Sequence, residues 1–404
     1  TQYFAALTPE AAPWPALRQE ADDLTRLMLG HALGTEAVAT TELQYLVALL
    51  PASAGGLGIR SCLLEGRLDR HASRILDARD AGSADELEDA QAAYERASVD
   101  LHRQLVSLAW RAVREDDPDI VQLSHQKQVA ALWTTNVSHN DRTLMTPRVA
   151  SKVLAMHLLT APVSQVVPCG EPRQFRAGGF TGSTPSVGPT GVHRGHVYTC
   201  KHLTTSRHNA VCLAARDVAH SLGPRVVLLE QGCDDQGCPF DAAHRRADVA
   251  VPGDLVVRAG SGPHIFMDVT ISLDKALLTR EATLLKRSKA ANMLIVKAAY
   301  AHKVRSGGPG EAVMQAGSLF VAAAFSAHGA ANPTTLASIG LLARGVDSYH
   351  QVPPALGQPK LSKRLLAAMT TAIRAKNAEF AISLDPGPGS DVGVRSAAAA
   401  FKKP

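Results

Sequence analysis

Apolar residues recur three and four apart through most of this chain, and two apart in only a few short runs. Leu17, Leu24, Leu27 and Met28 take the helical spacing within residues 14 to 50, and helical patterning returns over 61 to 131, broken near Gly82-Ser83-Ala84 and Pro118. A helix over 147 to 161 begins with Pro147, a residue suited to a first turn. Arg207-His208-Asn209 opens another, whose inner face carries Val211, Ala215, Val218 and Leu222 and which Gly223-Pro224 ends. Lys275 to Arg305, 333 to 345 and 360 to 377 complete the helical set. Short apolar runs predict strands at Arg225–Glu230, Arg245–Val251, Ile265–Ile271 and Leu319–Phe325. The pattern is a mainly α N-terminal part followed by an α/β part with a small sheet flanked by helices.

Two of the strand runs carry an interior aspartate. Side chains alternate faces along a strand, so Arg246, Asp248 and Ala250 share one face of the first run. Phe266, Asp268 and Thr270 share one face of the second, opposite Ile265, Met267, Val269 and Ile271. If the runs pair, both carboxylates reach one spot, and two converging carboxylates repel unless a cation lies between them. Hard oxygen donors in small number suit Mg2+. The plainer alternative is a pair of edge or solvent-facing aspartates.

Composition narrows this picture only in part. The 404 residues suffice for two or three domains, and alanine abundance with scarce aromatics favours helices. The net charge of +5 permits nucleic-acid binding without requiring it. Arg280, Lys286, Arg287, Lys289, Lys297, Lys303 and Arg305 face only Glu281 in the segment after the second aspartate strand. Such a run suits phosphate binding, although a solvated helix face is the commoner meaning. No run of apolar residues is long enough to span a membrane, and no secretory leader precedes the first helix. The start at Thr1, without Met, suggests a piece of a longer polypeptide.

The six cysteines are too sparse for a disulfide scaffold. Residues 163 to 195 are rich in Gly and Pro, framed by Cys169 on one side and by His196 and Cys200 on the other. Those three are candidate Zn2+ ligands, with His193 or His202 as a fourth. A loop with incidental histidines and a buried cysteine fits equally well. Cys233, Cys238 and His244 offer a second set, for which a plain loop is the simpler account.

Taken in order, these pieces resemble a known arrangement. Leu50-Pro51-x3-Gly55-Gly56-Leu57-Gly58 looks like the segment leading from palm to thumb in LINE-like (non-LTR) reverse transcriptases. The Cys/His loop resembles the zinc knuckle of the site-specific subclass. Arg207-His208-Asn209, Arg246-Ala247-Asp248 and Asp268-Val269-Thr270 resemble its C-terminal restriction-like, PD-(D/E)xK-type endonuclease. The likeness divides the chain into 1–60 (end of palm and thumb), 61–162 (helical linker), 163–206 (knuckle-like loop), 207–345 (endonuclease) and 346–404 (basic helix and tail).

The resemblance implies a mixed sheet flanked by helices, with Mg2+ held by Asp248 and Asp268. It implies Lys297 and Tyr300 as the assisting Lys…Tyr pair, with Lys289 and Lys286 in reserve, and Glu230 as an extra carboxylate. Arg207, His208, Lys286, Arg287 and Lys289 would contact nucleic acid. The implied partners are target DNA and the element's RNA, the implied compartment is the nucleus, and the implied product is a nick whose 3′ hydroxyl primes reverse transcription. Three departures stand out: Val166 occupies the place of the knuckle's first Cys, Ala247 that of a Pro, and Thr270 that of a Lys. A fragment that binds nucleic acid without cutting it, or a helical interaction protein, are the other functions considered.

Overall fold

The computed structural model describes residues 14–33, 40–113 (bar 67), 119–127, 145–160, 197–220 (bar 199, 201 and 202), 226–228, 253–257, 265–350 (bar 273, 289–292, 308 and 316) and 361–384. These form α1 (Trp14–Ala32), α2 (Glu42–Leu49), α3 (Cys62–Glu65), α4 (Asp69–Asp80), α5 (Ala84–Val113), α6 (residues 119–127) and α7 (Pro147–His157). Then follow α8 (Leu203–His220), β1 (Val226–Leu228), β2 (Leu255–Val257), β3 (Ile265–Ser272), α9 (Lys275–Ser288), α10 (Leu294–Val304) and α11 (Pro309–Gln315). β4 (Leu319–Ser326), α12 (Pro333–His350) and α13 (Leu361–Leu384) complete the order. The described chain is mostly helical with one small mixed sheet. The zinc-loop candidates Cys169 and His196, the carboxylates Asp248 and Glu230, and Lys289 lie outside the described residues.

The N-terminal helices close on a shared apolar cluster that includes Leu50, Leu105 and Leu123. Local signals start and stop them. Thr41 and Gln44 form a reciprocal capping box at α2, and Thr146 caps α7, whose first turn holds Pro147. After α2 the chain turns back so tightly that a Cβ on Gly56 would lie 2.1 Å from the Leu50 carbonyl oxygen, which only glycine tolerates. One expectation fails at α1: Leu24 and Met28 are exposed, at 54% and 73%. The buried side of α1 instead carries Leu29 and Asp22, whose carboxylate accepts from Ser61 Oγ and the Cys62 amide.

The sheet runs β1-β2-β3-β4, antiparallel except for the β3–β4 pair. Parallel neighbours require a crossover, here supplied by α9, α10 and α11. The alternation expected of β3 holds. Ile265, Met267, Val269 and Ile271 join Val211 and Ala215 of α8, Leu342 of α12 and Leu365 and Met369 of α13 in the main core. On the other face, Phe266 packs with Val256, Val313 and Phe320. α13 is therefore a core helix of the sheet domain, not part of a basic tail, since Leu365, Met369, Ile373 and Ala378 are fully buried.

The single helix expected over Lys275–Arg305 is two helices. Met293, at φ 47°, adopts a left-handed conformation that costs a non-glycine residue energy. The buried Glu281 of α9 compensates. Its carboxylate lies against the backbone amides of Ile295 and Met293 at the start of α10 and meets His125 Nε2 of α6 at 3.1 Å. Burial pushes this carboxyl up, but the His125 hydrogen bond and charge and the two amides outweigh it, and the net shift is downward.

A second polar cluster joins α7, α8 and α13. Arg207, fully buried, donates from Nε to Asn377 Oδ1 at 2.7 Å and from its terminal nitrogens to the Val197 and Tyr198 carbonyls. Burial lowers the Arg207 guanidinium to about 10. Arg374 donates to the His328 carbonyl and lies 3.1 Å from His157 Nδ1. His157 and His328 are held well below the usual imidazole range, by burial first and by neighbouring cationic side chains second.

Two outcomes are expected. Glu281→Ala should destabilise the protein by about 3–5 kcal/mol in chemical denaturation, because it leaves a buried His125 and two amides uncompensated. His157 and His328 stay neutral when folded but take up protons when unfolded below pH ~6.5. Stability should therefore fall with acidification through that value, by up to about 1.4 kcal/mol per pH unit for each histidine. Thermal melts across pH 5 to 8 read this, and substituting both histidines by Gln should flatten the dependence.

Candidate active site

β2 and β3 are antiparallel with Leu255 opposite Met267, so the residue before β2, Asp254, continues the register opposite Asp268. Directly opposed residues place their side chains together on one face. The chain approaches closely here. The Asp254 amide donates to the Met267 carbonyl at 2.7 Å, and a Cβ on Gly253 would lie 3.0 Å from that same oxygen. Asp254 Oδ2 accepts from the Val269 amide at 2.6 Å and lies 3.0 Å from His208 Nε2 of α8. The carboxyl groups of Asp254 and Asp268 are within hydrogen-bonding reach of each other.

Asp268 is 7% exposed in the middle of β3. Lys303, in the last turn of α10, places Nζ 2.9 Å from Oδ1 and 2.8 Å from Oδ2. Burial raises the Asp268 carboxyl, the hydrogen bond and charge of Lys303 pull it down, and the Asp254 carboxylate pushes it up; the net shift is upward. Two carboxylates and one ammonium leave a site still short of positive charge. A hard divalent cation fits this donor set, since it relieves the carboxylate repulsion and accepts oxygen ligands. Asp254 and Asp268 are the residues that would hold it.

Two carboxylates do meet here, Asp254 just before β2 and Asp268 within β3, while the expected partner Asp248 lies outside the described residues. The lysine that meets Asp268 is Lys303, whereas Lys297 is exposed on the same helix and Tyr300 packs against the Ile295 and Met293 cluster. Arg207 is corrected outright as a nucleic-acid contact: its guanidinium is committed to three buried acceptors in the core. Its neighbour His208 does reach the site. Lys286 and Arg287 lie in the last turn of α9, the first partly buried and the second exposed. Cys200 is buried beside Val197, Tyr198 and Leu203.

Asp254 and Lys303 were missed for a definable reason. Gly253-Asp254 precedes the run Leu255-Val256-Val257, short enough to pass for part of the turn before β3. Lys303 stands three residues beyond Tyr300 and six beyond the expected Lys297, nearly two helical turns further along α10.

The raised Asp268 carboxyl has a consequence for stability. A folded value above the unfolded one means the folded state binds more protons in the intervening window, so stability declines as pH rises through it. Asp268→Asn is expected to keep or increase the melting temperature at neutral pH. It should also remove the part of the pH dependence lying above the ordinary carboxylate range, as differential scanning calorimetry at several pH values would show.

Against known proteins, the chain matches no family model and no curated sequence.

Proposed function

We propose that this chain is the metal-dependent endonuclease portion of a retroelement polyprotein, cutting one DNA strand to leave a 3′ hydroxyl that primes reverse transcription. The observation that carries the reading is the opposed Asp254–Asp268 pair with Lys303 on Asp268, set on a mixed sheet flanked by helices. The Leu50–Gly58 turn and the order of helix, strands and basic segment support the retroelement assignment, as does their resemblance to site-specific LINE-like enzymes. On this reading the partners are target DNA and the element's RNA, and the protein works in the nucleus. Among the described residues, no helix is long and apolar enough to cross a membrane.

A bound Mg2+ would lower the pKa of a ligated water and polarise the scissile phosphate. Asp254 and Asp268 would hold that charge, and the amide of Val269 and His208 fix the Asp254 carboxylate in place. Lys303 neutralises Asp268 before substrate arrives and offers its ammonium to the phosphate, where charge grows during hydrolysis. Lys286 and Arg287 supply positive charge for the DNA backbone, a contact that weakens with salt.

A second reading is a nucleic-acid-binding fragment that no longer cuts. The Lys303 ammonium, engaging both oxygens of Asp268, favours it, because a closed ion pair competes with a metal for the same atoms.

Nicking of supercoiled plasmid with Mg2+ or Mn2+ separates the two. The nuclease reading expects nicking that Asp268→Asn and Asp254→Asn reduce at least about 10²-fold, Lys303→Ala reduces by a similar order, and Lys297→Ala leaves within a few-fold, with DNA binding intact in all. DNA binding without nicking supports the second reading. Nicking unchanged by Asp268→Asn rejects this site.

A further inference from the structure

Asp254 faces two ways. Beyond Asp268 it meets a different set of donors on α8, where His208 and Cys212 stand four residues apart and so lie on one helix face. His208 Nε2 is 3.0 Å from Asp254 Oδ2, and Cys212 Sγ is 4.0 Å from the His208 ring nitrogens. One ligand atom from each of the three residues lies within 4.8 Å of the other two. A tetrahedral Zn2+ at ordinary bond lengths separates its N, O and S ligands by about 3.4–3.6 Å. The observed separations bracket that value, so small side-chain adjustments suffice.

We propose that His208, Cys212 and Asp254 form a site for a thiophilic divalent cation of the Zn2+ class, distinct from the oxygen-only pair and sharing Asp254 with it. The chemistry of the donors makes the distinction. A thiolate and an imidazole select borderline and soft metals, whereas Mg2+ prefers oxygen and retains its waters. Charge also favours it: thiolate and carboxylate against one divalent ion sum to zero with a neutral imidazole, which suits a half-buried position. Cys212 is fully buried in the main core with Val211 and Ala215, and α8 is anchored by Arg207, so two of the three ligands are on a fixed frame. Three protein ligands leave the fourth tetrahedral position to water. Binding displaces the Cys212 proton to solvent. The site requires no nuclease activity, so it stands apart from the function proposed above.

Cobalt(II) titration of the full chain tests it, with absorbance as the readout. The expected result is thiolate-to-cobalt charge-transfer absorption, of which one equivalent disappears in Cys212→Ala and is weakened at least about 10-fold in affinity in His208→Ala. Zn2+ should displace that equivalent, and Mg2+ should not. Asp268→Asn should leave it in place. Circular dichroism checks that the Cys212 variant is folded, and His208, being partly exposed, provides a variant that does not disturb the core. Cobalt absorption identical in wild type and both α8 variants would assign it to other cysteines and overturn the proposal, as would cobalt binding without any thiolate absorption. Plasmid nicking with no such absorption would leave the nuclease reading intact and this site refuted. The absorption in a protein that does not nick would give the reverse.

Discussion

The buried carboxylate of Glu281 joins three parts of the molecule that have no sequence proximity. His125 brings the N-terminal helices to it, α9 carries it, and the amides of Met293 and Ile295 place the start of α10 against it. An uncompensated charge in the interior is costly, so the three partners are mutually required. The left-handed Met293 is tolerated under the same constraint, because the turn it makes aims the α10 amides at the carboxylate. α10 in turn carries Lys303 to Asp268. The Glu281–His125 pair therefore helps set where the site's ammonium stands.

The site itself runs against the fold's stability. Asp254 and Asp268 are held face to face by β2–β3 register, and Asp268 is buried enough that its ionised form is disfavoured even with Lys303 upon it. A protein selected for stability alone would place apolar or amide side chains there. Sites that must collect a cation or a polyanion's charge commonly retain such unfavourable groupings. The apolar surroundings absorb the cost: Met267, Val269 and Phe266 around Asp268 are nearly inaccessible to solvent and fix the strand rigidly.

α8 shows how one helix serves both purposes. Arg207 spends its guanidinium on Asn377 and two carbonyls, tying α8 to α13. The adjacent His208 turns the other way, to Asp254. Adjacent residues on a helix diverge by about 100°, so a basic dipeptide that suggests a single nucleic-acid contact in sequence divides into a core anchor and a site residue.

The chain's own patterning determined the mainly helical layout, the strands around β1, β3 and β4, the capped start of α7 and the split faces of β3. Each of these follows from local periodicity and backbone preference. It also marked Asp268, because an aspartate inside an apolar strand is a local anomaly. Tertiary structure alone decided what Asp268 faces. Register brought Asp254 opposite it, the Met293 turn brought Lys303 to it, and burial removed Arg207 from the surface and made α13 a core helix. Such pairings join residues 14 and 35 positions apart, and more in the case of His125 and Glu281, 156 apart. No local rule specifies them, because they depend on which strand neighbours which and where a helix is forced to bend.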